Sequence, residues 1–176
     1  MFGWLFGRRK QEKFFLEMMK AAAEGEGRRK LFEAASMLGI IIKGAGTDEE
    51  KCAQIASGLV NNLLKASGTN INSNEDDQFV AALFSVIACS HFSRILTSQF
   101  ELSAMLSWVI LTAGDIEKIE ISNQATEYYI DMTERKAPVL IAAGNSIAKW
   151  VNQPTAENFR AVVNVFDHCR SMVGYA

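Results

Sequence analysis

The chain has 176 residues, 49% of them hydrophobic and 22% charged, with a net charge of −2. That is long enough for one domain with a sizeable core, too hydrophobic for an intrinsically disordered chain, and too nearly neutral for whole-surface binding of nucleic acid. Only two prolines occur, which favours long helices over a loop-rich β fold.

The first ten residues, MFGWLFGRRK, set Phe2, Trp4, Leu5 and Phe6 ahead of Arg8, Arg9 and Lys10. A secretory signal has its cations first and its apolar run second; here the order is reversed and the run is short, so no leader is expected. Residues 1–30 hold eight Arg/Lys against four Glu, a net +4, which leaves −6 on the rest of the chain. A basic arm on an acidic body calls for an anionic partner, and the body, its own or a second copy's, is one. We read residues 1–11 as a basic, aromatic arm and residues 12–176 as a single all-helical domain. Four exposed apolar side chains are an aggregation hazard unless covered, so Phe2, Trp4, Leu5, Phe6, Arg8, Arg9 and Lys10 form the expected partner-binding set.

Helical periodicity begins at once. Phe14, Phe15, Met18, Met19 and Ala22 mark one face, and Glu12, Lys13, Glu17 and Lys20 the other. GEG at Gly25–Gly27 is expected to break this first helix, with a second starting near Arg28. The second carries the stripe Leu31, Phe32, Ala35, Leu38 and Ile42, and KGAG is expected to stop it. GRRK occurs twice, at Gly7–Lys10 and Gly27–Lys30, each time before an amphipathic run; two copies fall short of a repeat array.

TDEE restarts the chain. Thr47 as N-cap with Glu50 three residues on is a capping box, and acidic residues suit the positive end of the helix dipole. Cys52, Ile55, Ala56, Leu59, Leu63 and Leu64 follow at helical spacing, and Gly68 closes the helix. Ser73 or Asn74 caps the next segment, QFVAALFSVIACSHF, which is apolar on every side and so belongs at the centre of a bundle. A break is expected within residues 91–99, making Gln78–Gly114 a buried hairpin. Its uncharged runs, Gln78–Ser93 and Leu102–Gly114, fall short of the roughly 18–20 apolar residues of a membrane span. DIEKIEIS alternates but has no partner strand. Ala125, Tyr128, Tyr129 and Met132 point inward from the next helix, with one of the adjacent tyrosines turned toward the surface. Pro138 starts another helix at a position where its missing N–H is harmless, and Pro154-Thr155 opens the last. The fold class is all-α: a single-domain bundle of about seven or eight helices with a buried central hairpin.

Chemistry is sparse. KGAGTDEE resembles the calcium-binding turn of an annexin repeat, a Gly-x-Gly-Thr loop before a helix. In that family the loop carbonyls act with an acidic side chain further along the repeat. The corresponding stretch here, LFSVIACSHF, has no carboxylate, and a hard cation needs one. Cys89 with His91 and His168 with Cys169 are too closely spaced to share a helix face, so no zinc site is expected. Ser146-x-x-Lys149 lacks the companion motifs of serine hydrolases. No phosphate loop occurs. Cys52, Cys89 and Cys169 show no disulfide spacing and read as buried thiols of a reducing, cytoplasmic compartment. No metal, cofactor or nucleic acid is expected. The reading is a non-enzymatic protein-interaction module of the adaptor, inhibitor or immunity type, with a protein partner or a second copy of itself. The alternatives are a peripheral membrane protein using its N-terminal segment, and an enzyme whose site is assembled from scattered residues.

Overall fold

The computed structural model describes residues 22–42, 46–72, 74–115 and 118–173. Among them all regular structure is helical, in seven helices: α1 (22–37), α2 (Asp48–Ala66), α3 (Glu75–Leu96), α4 (Phe100–Leu111), α5 (Ile119–Glu134), α6 (Pro138–Asn152) and α7 (Ala156–Val173).

The helix boundaries follow local chemistry. Thr47 and Glu50 make a reciprocal box: the Glu50 N–H donates to Thr47 Oγ1 at 3.2 Å and the Thr47 N–H to Glu50 Oε2 at 3.0 Å. Asn74 caps α3 by accepting the Asp77 N–H at 2.7 Å. Pro138 opens α6, and Thr155 Oγ1 accepts the Asn158 N–H at the start of α7. The break between α3 and α4 falls at residues 97–99, where Thr97 turns to a φ of 59°.

Two boundaries differ from expectation. Residues 22–37 run as one helix straight through Gly25 and Gly27. Glu26 pairs with Arg29 and with Lys30 one turn on, bridging the weak stretch. A Cβ on Gly27 would stand 3.4 Å from Ile95, so this glycine lets α1 approach the end of α3 closely. The helix then stops at Met37 rather than at KGAG. Gly39 takes a φ of +67°, and the Ile40 N–H reaches back to the Ala35 carbonyl, a left-handed closure suited to glycine.

Helix α3 is the centre. Residues 80–89 are buried without interruption, and α2, α4, α5, α6 and α7 all pack on it. By length and composition it could cross a membrane; here its apolar surface is spent on these neighbours. Phe84 meets Phe166 of α7 edge-on at 5.0 Å between ring centres, and Trp108 and Trp150 are fully enclosed. The other half of the expected hairpin is a correction: α4 is buried on one side only, and Leu106 is half-buried.

Polar ties join the ends of the bundle. Arg28 binds Asp48 at 2.7 Å and the Leu96 carbonyl at 2.9 Å, fastening α1 to α2 and α3. The Gln99 N–H donates to Glu49 Oε1 at 3.0 Å, so α2 supports the start of α4. Asp77, 5% exposed, accepts from Arg170 Nε at 2.5 Å and Nη2 at 3.2 Å, from Thr69 Oγ1 at 2.8 Å and from Asn74 Nδ2 at 3.2 Å. This carboxylate locks the start of α3 to the end of α7. Lys118, just before α5, bonds Asn72, just before α3, so the two helices start side by side.

Candidate interaction surface

Helix α4 reads FELSAMLSWVIL, and it is packed in an unusual sense. Its buried residues are Ser103, Ala104, Ser107 and Trp108, whereas Leu102, Met105, Val109 and Ile110 face outward. The inward hydroxyls are all used. Ser103 Oγ donates to the Gln99 carbonyl at 2.7 Å, Ser107 shares a 2.6 Å hydrogen bond with Ser85 of α3, and Trp108 Nε1 donates to the Lys118 carbonyl at 2.6 Å. Small side chains bring α4 close to its neighbours, since interaxial distance follows the side chains at the contact. The larger aliphatics are thereby turned to the outside.

The outward residues 102, 105, 106 and 109 recur at helical spacing as a continuous stripe. Met105 is 48% and Ile110 49% exposed. No charged residue lies on the stripe; Glu101 stands at its head and Asp115 beyond its foot. At the foot the stripe continues into a groove of about 620 Å³ between residues 38–41, α2 and α4. Ile110 and Ile41, the latter 79% exposed, line that groove with Gln54, Asn61 and Lys65. Single exposed aliphatics are ordinary, but a contiguous run rimmed by polar groups marks a contact surface.

The sequence-expected binding set, Phe2, Trp4, Leu5, Phe6, Arg8, Arg9 and Lys10, lies outside the described residues. The acidic run Asp48–Glu50 is committed to structure: Arg28 holds the Asp48 carboxyl below its usual range, and the Gln99 N–H does the same for Glu49. Cys52 and Cys89 meet across α2 and α3 in the core, and Cys169 lies under α7. Burial pushes the Cys89 thiol up and the Cys169 thiol up to about 11, which suits inert core thiols. Among the described residues no three His, Cys, Asp or Glu side chains converge on a metal position. Ser146 donates its hydroxyl to the Ala143 carbonyl at 2.8 Å. The tyrosine pair divides: the half-buried Tyr129 bonds Ser90 at 2.7 Å, and the more exposed Tyr128 packs edge-on against Phe79. No protein-family model, curated protein or solved structure matches this chain.

The α4 stripe was missed at the sequence level because the helix is apolar on both faces. The one visible signal was Ser103 and Ser107, four apart, which could have been read as the inner face of a close helix contact.

Proposed function

We propose that this chain is a non-enzymatic helical interaction module whose α4 face receives a protein partner. The observation that carries the reading is the uncharged aliphatic stripe Leu102, Met105, Leu106 and Val109, turned outward while the serines of the same helix are turned in. Protein suits the stripe better than lipid. Helix α4 has no basic residue in its last turn, and Glu101 at its head repels the anionic headgroups that cations attract, while Asp115 at its foot is paired with Lys118. The matching partner is an apolar helix flanked by cations. Residues 1–20 of this chain come near that chemistry: Phe14, Phe15, Met18 and Met19 recur at helical spacing, and Arg8, Arg9, Lys10, Lys13 and Lys20 outnumber Glu12 and Glu17. A second copy, its basic arm laid on the acidic-ended α4 face, is therefore the partner to test first.

Sedimentation equilibrium of the full chain tests this. A species heavier than the 19.5 kDa chain is expected, dissociating with Val109→Lys or Met105→Lys, neither of which disturbs the core. A monomer at every concentration, or self-association indifferent to both lysines, refutes pairing through α4. Flotation with anionic liposomes that is lost in Val109→Lys would replace the reading with peripheral membrane binding.

A further inference from the structure

A second site lies on the opposite side of α3. Ile87, Ser90, His91 and Arg94 form one stripe of that helix, and they face Tyr129, Met132, Thr133 and Lys136 from α5 and its end. Residues of α6, including Leu140, Ile141, Gly144 and Asn145, close the third side. Together they line an open cleft of about 400 Å³, within the size range of small-molecule sites, with Arg94, Lys136 and Ile141 on its exposed rim.

The chemistry of the lining is one-sided. Arg94 and Lys136 both line the cavity, and among the described residues no aspartate or glutamate does, although residues 31–176 carry a net −6. Elsewhere in the bundle Arg28, Arg29, Arg135 and Arg170 each have a carboxylate partner. Tyr129 Oη is bonded to Ser90 Oγ at 2.7 Å between the two helices. Arg94 follows Ser90 by one turn on α3, and Lys136 follows Tyr129 by two turns, just past the end of α5. Lys136 sits at a φ of 54°, a left-handed helix-closing position that glycine usually takes. A cation ending a helix can simply balance its dipole, but that role does not gather two cations around one carboxylate-free cavity.

We propose that this cavity is a binding site for a small amphipathic monocarboxylate, with its carboxylate between Arg94 and Lys136 and its aliphatic or aromatic body against Ile87, Met132, Leu140 and Ile141. The planar guanidinium of Arg94 can pair with a carboxylate through two parallel hydrogen bonds. The apolar wall favours such a ligand over a fully hydrated anion such as phosphate. The site is independent of the α4 face.

His91 reports on occupancy. Burial, and then the charge of Arg94, hold its pKa below the ordinary value of 6.5. Among the described residues the charged or titratable groups around the cavity are Arg94 on its own helix, Tyr129 of α5 and Lys136 just past it, with none from α6. A bound carboxylate therefore raises the His91 pKa by opposing the charge of Arg94. His168, the only other histidine, faces solvent on α7 and serves as the internal reference.

The experiment is an NMR pH titration of the two imidazoles in the full chain, with octanoate, acetate or inorganic phosphate as probe. Octanoate is expected to raise the His91 pKa and leave His168 in place, with acetate and phosphate much weaker at equal concentration. Arg94→Gln and Lys136→Gln should each weaken octanoate binding about tenfold or more. Gly144→Leu supplies the second arm. An added Cβ there meets nothing within 4 Å, so the side chain intrudes on the apolar wall without straining α6, and binding should be lost while thermal stability is kept. No His91 response to octanoate, or a response that survives Gly144→Leu, overturns the site. Loss in Gly144→Leu with full binding in both glutamine variants overturns the carboxylate assignment. An equal response to phosphate overturns the amphipathic one.

Discussion

Replacing Arg170 by methionine isolates the junction between α3 and α7. The substitution removes two charge-assisted hydrogen bonds, from Nε at 2.5 Å and Nη2 at 3.2 Å, and takes the guanidinium away from a carboxylate, Asp77, that is almost fully buried. Each such bond contributes about 1.5–3 kcal/mol, and stranding a buried charge costs about 3–5 kcal/mol in total. Two features reduce the figure. Asp77 keeps the hydroxyl of Thr69 and the amide of Asn74, and the Arg170 side chain is 26% exposed, so water can enter where the guanidinium stood. The expected loss is about 2–4 kcal/mol. The weak contact of Arg170 with Asp167 at 3.4 Å adds little at the surface. Urea unfolding followed by far-UV circular dichroism measures the loss, with the slope checked for constancy. Arg170→Lys keeps the charge but not the fork and should lose about half as much. A double cycle with Asp77→Asn should return a coupling of at least about 1 kcal/mol. A loss for Arg170→Met below about 0.5 kcal/mol, the level of an ordinary surface change, would refute the idea that this pair fastens the two helices.

Three further outcomes follow from the packing. Phe84→Ala removes a ring enclosed by α3 and α7 and should cost about 3–5 kcal/mol, whereas Leu106→Ala, at a half-buried position, should cost about 1–2 kcal/mol; equal losses in urea melts would contradict the one-sided burial of α4. Ser107→Ala strands the Ser85 hydroxyl, which is buried beneath α4, at a cost of about 1–3 kcal/mol, and adding Ser85→Ala should restore most of it; a double variant weaker than the single one would show that the pair is not the cause. The His91 pKa is depressed in the fold, so above about 6.5 both states are neutral there and His91 adds no pH dependence. Below that value the unfolded chain takes up the proton first, and stability falls with falling pH. His91→Gln should flatten that part of the acid limb, and an unchanged slope between pH 7 and pH 5 would rule the histidine out as its source.

What could be read without the fold was what neighbouring residues decide among themselves. Thr47 with Glu50, Asn74, Pro138 and Thr155 each act within one turn of their own helix, and all four mark helix starts as expected. The turn at residues 97–99 was legible for a statistical reason, because a small bundle rarely holds one helix of nearly forty residues. Gly27 was misread because its effect depends on Ile95, a residue of another helix. The orientation of α4 was illegible because both of its faces are apolar, so only the positions of α2 and α3 decide which one is buried. The α3 cavity was partly visible: Ser90, His91 and Arg94 interrupt an apolar helix along one stripe. Their partners Tyr129, Thr133 and Lys136 lie some forty residues away, and no spacing rule connects them.

The bond from Glu49 to the Gln99 N–H has a consequence for the order of folding. Helix α4 has no side-chain cap of its own, and the carboxylate that serves it belongs to the first turn of α2, fifty residues earlier. A twelve-residue helix is below the length that persists alone in water, so α4 waits for a long loop to close before its first turn is secured. While the chain emerges from the ribosome, α2 can form on its own box, but the aliphatic stripe of α4 does not yet exist as an ordered surface. It is ordered only once α2, α3 and α4 have met, so the relief of that surface is a late product of folding.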